Sequence, residues 1–333
     1  MVACRPRPLP LAPHHFPVPV RVVSLRCSLR MRRISLREWF SIHGLLAGRA
    51  SLILRKPERT LRLLPLSLSR GGMRVKCFQG FENRTSVIYL DDGNYLNEWI
   101  FSGGGSDVGQ PGPLTRQKYL AHPSSSLAAY WPRIIYQGTS GEIREINYNC
   151  SSKTQCYYDK ALSTTQARNG TQLLVLPAKS DLTSTAVFYQ EQDGRFLEYR
   201  EDGTGITTVL QNPAFSNLIP LDAPVAGFST IRPTDAQNPN LNLYLLWQDS
   251  NNVIQLSYTD DTNVWKGPNT DPAFAGANNN TALSCLSGTT FPGFPQQRTT
   301  VLARCYFQTG MALREVTFNG NMWNITGVVP LNF

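Results

Sequence analysis

From Cys77 onward, short aromatic and β-branched runs alternate with clusters of Gly, Asn, Asp and Ser, with hardly any helical period. This pattern predicts an all-β domain. One run returns along the chain: SVIYL, RIIYQ, AVFYQ, YLLWQ and RCYFQ end at Leu90, Gln137, Gln190, Gln248 and Gln308, spaced by 47, 53, 58 and 60 residues. Seven or eight residues beyond each lies a second strand with Glu98, Glu145, Glu198, Gln255 or Glu315.

Flanking runs complete the unit. Downstream, GITTVL, NVWKGP and NMWNI read as outermost strands; upstream, SSLAAYW, DAPVAGFS and TALSCLS are small-residue runs that suit inner strands beside a crowded channel. Four strands in a period of about 40 to 60 residues predict a β-propeller blade. A sandwich supplies similar strand spacing but no reason for the same unit to return five times. Five blades are visible and the length admits six, because the C-terminal GVVPLNF resembles another inner run. It would complete a blade begun by the N-terminal strands and close the ring.

Charge separates a leader from this body. Residues 1–76 hold 16 Lys and Arg against Glu38 and Glu58, a balance of +14; subtracting this from the whole-chain +9 leaves the other 257 residues at −5. The basic pI therefore describes the leader, and a nucleic-acid partner is rejected. Rich in Arg, Pro, Leu and Ser, the leader has no pattern that could bury a core. It reads as a disordered basic tail, a transit peptide or an artefact of the gene model, and residues 77–333 as the propeller. After Met31, Arg37 and Glu38 interrupt the one candidate signal core, and no apolar run is long enough for a membrane-spanning helix.

The body nevertheless has the marks of a secreted glycoprotein. Five glycosylation acceptor triplets stand at Asn83, Asn149, Asn169, Asn279 and Asn324. Cys150 and Cys156 bracket a polar loop, and Cys285 and Cys305 fall on neighbouring strands of one blade, so each pair is a candidate disulfide, with free buried thiols as the alternative.

Catalytic chemistry has little to stand on. His122 is the body's one histidine, no nucleophile motif accompanies it, and no Cys/His metal spacing is present. Asp181 and Asp222 are the only acids near inner runs. The recurring unit offers more. Four residues before the Gln position stand Ser86, Arg133, Ala186, Tyr244 and Arg304, so two copies combine an Arg with the acid of the next strand. Folded about Thr309 and Gly310, the last copy sets Arg304 opposite Glu315. A guanidinium donates to a ring oxygen and a hydroxyl, a carboxylate accepts from vicinal hydroxyls, and an aromatic such as Trp323 covers a sugar's apolar face.

The unit resembles that of the fungal fucose-specific lectins, whose blades run I-R-V-Y-Y-Q, a turn, I-x-E and then Trp followed by Gly. The resemblance covers roughly residues 80 to 333. It implies a six-bladed propeller that binds fucosylated or related glycans in pockets between blades, without a cofactor or catalysis. Carried over, the sites fall on Arg133 with Glu145 and on Arg304 with Glu315. Trp323 stands at the family's Trp in the last copy, and Tyr157 and Tyr158 lie near that position in the second. Gln255 and the copies without Arg imply weakened sites, so avidity would draw on several sites or a homo-oligomer. Two further readings stay open: a lectin-fold surface or cell-wall interaction module, and a propeller glycosidase with carboxylates gathered at the channel mouth.

Overall fold

The structure, a computed structural model, describes residues 85–101, 109–130, 132–148, 156–179, 184–201, 206–230, 241–287 and 302–331. It also describes the strand backbones at 4–8, 23–27 and 75–79. Two compact units divide the chain, Val2–Lys118 and Tyr119–Phe333. Five four-stranded antiparallel sheets, each a meander in chain order, form the blades of a β-propeller. Among the described residues no helix is long and apolar enough to cross a membrane.

The first unit contains an antiparallel pair within the leader, β1 (Cys4–Pro8) and β2 (Val23–Cys27), where the sequence suggests no strand. It also holds blade one, made of β3 (Val75–Gln79), β4 (Thr85–Leu90), β5 (Leu96–Phe101) and β6 (Gln110–Pro111).

The second unit holds four blades. Blade two is β7 (Leu127–Tyr130), β8 (Arg133–Gln137), β9 (Ile143–Tyr148) and β10 (Tyr157–Ala161). Blade three is β11 (Leu174–Pro177), β12 (Thr185–Gln190), β13 (Phe196–Glu201) and β14 (Thr207–Leu210). Blade four is β15 (Val225–Thr230), β16 (Asn242–Gln248), β17 (Ile254–Thr259) and β18 (Trp265–Asn269). Blade five is β19 (Ser284–Ser287), β20 (Ala303–Thr309), β21 (Ala312–Phe318) and β22 (Trp323–Pro330).

Inner strands β7, β11, β15 and β19 neighbour one another in turn, which explains the small residues of β7, β15 and β19. A Cβ added to Gly227 would lie 2.8 Å from Leu174 Cδ2 of the adjacent inner strand. The C-terminal run departs from expectation. Gly327 to Pro330 continue the outermost strand, pairing with Glu315 to Ala312, so GVVPLNF begins no further blade.

Alternate residues of a strand point to opposite faces, and in blades three and four each face meets another blade of this unit. The middle strands β12 and β16 are consequently buried along their whole lengths. The core is a series of seams. Ile135 and Tyr130 of blade two pack with Val187 and Tyr199 of blade three, Phe188 and Phe196 with Trp247 and Trp265 of blade four, and Phe228 and Leu256 with Phe307 and Trp323 of blade five. Each such side chain contributes about 1.5–3 kcal/mol on burial.

The recurrent Gln has a specific task. Gln248 Nε2 donates to Asn252 O of its own hairpin at 2.9 Å and to Asn278 O of the next blade at 2.8 Å, while its Oε1 accepts from Thr281 N at 3.1 Å. Gln137 makes the same three kinds of bond, to Gly141 O, Arg168 O and Gly170 N. The repeat therefore encodes a blade-to-blade clamp. Four of the five hairpins have five-residue loops whose fourth residue is left-handed: Asn94, Gly141, Gly194 and Asn252. Asn and Gly tolerate that conformation best.

Candidate functional site

Arg304 and Tyr306 share a face of β20 because they lie two residues apart. Across the ladder, Tyr306 opposes Glu315 and Arg304 opposes Thr317, with Thr309 paired to Ala312. The hairpin thus turns on Gly310 and Met311, one step beyond the centre read from the sequence, and Arg304 is diagonal to Glu315 rather than opposite it. A long side chain spans that diagonal. Arg304 Nη1 donates to Glu315 Oε1 at 2.7 Å, and Tyr306 Oη donates to Oε2 at 2.8 Å. A bulge in β22 leaves Thr326 without a ladder partner and turns its hydroxyl to Oε1 at 2.9 Å. The Glu315 side chain is 11% exposed and that of Arg304 30%, so the acid is fixed and the guanidinium faces solvent. Among the described residues Arg304 Nε and Nη2 make no hydrogen bond.

Trp323 stands elsewhere. It pairs with Phe318 and shares that residue's face, opposite the one bearing Arg304 and Glu315. Its ring lies 4.9 Å from Phe274 and 5.9 Å from Phe228 between centroids, within the seam of blades four and five. The structure brings Arg304 and Glu315 together and sets Trp323 apart.

In blade two Arg133 is again diagonal to the acid, since Ile135 opposes Glu145. Arg133 Nη1 donates to Glu145 Oε2 at 2.9 Å and to Glu201 Oε2 of blade three at 3.3 Å. Lys160, directly opposite Glu145 on β10, donates to both Glu201 oxygens at 3.4 and 3.2 Å. Of the two tyrosines near the expected aromatic position, register puts Tyr158 on the Arg133 face and Tyr157 on the other. Tyr157 is buried edge-on to Tyr148, with ring centroids 5.1 Å apart.

The remaining acids have structural partners. Buried Glu98 accepts from Ser86 Oγ at 2.7 Å and from Leu114 N at 3.2 Å, where a short 3-10 turn begins. Glu198 bonds Arg200 Nε through Oε1 and accepts from Trp265 Nε1 at 3.0 Å through Oε2. Arg200 sits opposite Ala186, so this copy keeps a guanidinium on the third strand instead of the second. The E-x-R spacing on one strand was the available signal. In the fourth copy Leu246 opposes Leu256, so the register position of the acid is Leu256, and Gln255 points to the other face, donating to Asp249 Oδ2 at 2.8 Å. The sequence offered no sign of Glu201, which reaches Arg133 from another blade.

Cys285 and Cys305 are direct ladder partners and form a disulfide, while Cys150, the suggested partner of Cys156, lies outside the described residues. Of the acceptor asparagines, Asn169, Asn279 and Asn324 are exposed; Asn83 and Asn149 lie outside the described residues. Asp222 occupies a left-handed turn and pairs with Arg168 Nη1 at 2.6 Å; Asp181 lies outside the described residues.

No protein-family model matches the sequence, and no curated protein does. Solved structures match the fold. AofleA from Arthrobotrys oligospora superposes with a TM-score of 0.59 at 18% identity, covering 78% of this chain and 73% of that one. SapL1 lectin, solved with α-methyl fucoside, gives 0.57 at 19% identity over 78% and 80% of the two chains. The Aleuria aurantia lectin, described as a six-bladed β-propeller with a novel fucose recognition mode, gives 0.57 at 17% identity over 78% and 79%. The chain thus has the fold of these lectin propellers.

Proposed function

We propose that this chain is a non-enzymatic, carbohydrate-binding propeller that recognises fucose-type glycans through Arg304 with Glu315 and Arg133 with Glu145. The observation that carries the reading is the Arg304–Glu315 pair. Its carboxylate is locked by three donors, while among the described residues two guanidinium nitrogens have no partner on a partly exposed side chain. Prealigned donors lose little freedom when a hydroxylated ligand arrives. The fucoside bound by SapL1 on the same fold supports this class of ligand. The Cys285–Cys305 disulfide and the exposed acceptor asparagines support an extracellular or cell-surface location.

Hydrolysis is disfavoured by the carboxylates themselves. Glu145 and Glu201 meet across a seam, but Arg133 Nη1 bonds both, which commits them to an ion-pair cluster rather than to acid and base roles. The closed sites of the third and fourth copies favour a second reading, a lectin fold retained for surface or cell-wall interactions after loss of sugar binding.

Glycan-array binding by the full chain and by Arg304→Ala separates these readings. A fucoside-dependent signal that falls in the variant is expected. Absence of any such signal, or one indifferent to the substitution, overturns the assignment.

A further inference from the structure

We infer that Lys160 is a ligand-binding residue of the blade-two site, where its ammonium and the Glu145 carboxylate bracket one hydroxyl of the sugar; this rests on the carbohydrate-binding reading above. Glu145 is 1% exposed, yet among the described residues its Oε1 receives no hydrogen bond. A buried carboxylate oxygen without a donor is costly, so the site is incomplete as it stands. Lys160 Nζ lies 3.9 Å from that oxygen, beyond hydrogen-bond range. An oxygen about 2.8 Å from each would subtend an angle of about 90° between them, within reach of a hydroxyl that accepts from the ammonium and donates to the carboxylate.

The ammonium is held for this role. Glu201 from blade three anchors it through both oxygens, while the Lys160 side chain remains 50% exposed at the mouth. Glu201 also bonds Arg133, so one residue of the neighbouring blade fixes both cations. At the blade-five site the arrangement differs. The residue opposite Glu315 is Gly327, which has no side chain, and Thr326 and Tyr306 complete the acid's bonds. The two sites are therefore unequal: blade two takes one hydroxyl between two opposite charges, and blade five presents a guanidinium beside an acid already satisfied.

Titration of methyl α-fucoside into the full chain in an Arg304→Ala background reads the blade-two site alone. Adding Lys160→Met, which keeps the stem, is expected to weaken the remaining affinity at least about tenfold, while Lys160→Arg, which keeps a donor, stays within about threefold. An unchanged melting temperature in each variant separates lost binding from lost folding. Equal or tighter binding by Lys160→Met overturns the inference and leaves the carbohydrate reading standing. Loss of all binding in Arg304→Ala alone, with the unsubstituted protein still binding, does the same. If the unsubstituted protein binds no sugar, both fall.

Discussion

Trp265 Nε1 donates to Glu198 Oε2 across the seam between blades three and four, at 3.0 Å, whereas the corresponding indole one blade on, Trp323, is buried with no partner for its Nε1 among the described residues. The difference follows from the register. Glu198 occupies the acid position of blade three, and Leu256 occupies it in blade four. Trp265→Phe removes a bond to a buried carboxylate; Trp323→Phe removes a donor that has nothing to bond. Both lose similar packing, so Trp265→Phe is expected to cost about 1–3 kcal/mol more in chemical denaturation. Equal losses would contradict this account of the two seams.

Gln248 joins three backbone groups on two blades and is 2% exposed. Gln248→Ala leaves Thr281 N buried and the partly buried Asn252 and Asn278 carbonyls short of a partner. A loss of about 2–3 kcal/mol is expected, against less than about 0.5 for the exposed neighbour Asn251→Ala. Denaturation of both variants checks the clamp.

The Cys285–Cys305 bridge closes a loop of 20 residues between the first two strands of blade five. Constraining such a loop in the unfolded chain is worth about 3 kcal/mol. Replacing both cysteines by Ala should lower stability by about that amount, and added reductant should then have no further effect attributable to this pair.

Acid pH has a local reporter in Asp260. Its Oδ1 accepts from Thr262 Oγ1 at 2.7 Å, Val264 N at 2.9 Å and Thr262 N at 3.0 Å, and these bonds, the hydroxyl first, lower its pKa from 3.8 to about 2. Because the folded value is depressed, the stability this group contributes is fully present above pH 3.8 and is lost as pH falls through about 2. The Asp260 carboxyl carbon should titrate near 2 by NMR, and Thr262→Ala should raise that midpoint.

What the sequence revealed was what most of the blades share. The aromatic strand recurs in all five copies, the small-residue inner run in blades two, four and five and the terminal Gln in blades two to five, because the strands fill seams between blades and Gln137, Gln190 and Gln248 reach across them. Register was harder to read. The fifth hairpin turns on Gly310 and Met311, with four residues rather than five between its Gln308 and the Gln's ladder partner Leu313, so an interval of seven from the Gln reaches Glu315 there but Gln255 in the fourth copy, where the ladder places Leu256. Trp323 followed its motif in the sequence, yet its pairing with Phe318 sends it to the other face of the sheet from Arg304. Partners that arrive from another blade left no local trace, as Glu201 beside Arg133 and Trp265 beside Glu198 demonstrate.

If the two guanidinium–carboxylate pairs bind sugar, calorimetric titration with methyl α-fucoside reads them out through stoichiometry. The full chain should bind two equivalents, Arg304→Ala and Arg133→Ala one each, and the double variant none. An undiminished stoichiometry in the double variant, or no heat of binding from the unsubstituted protein, would contradict the account.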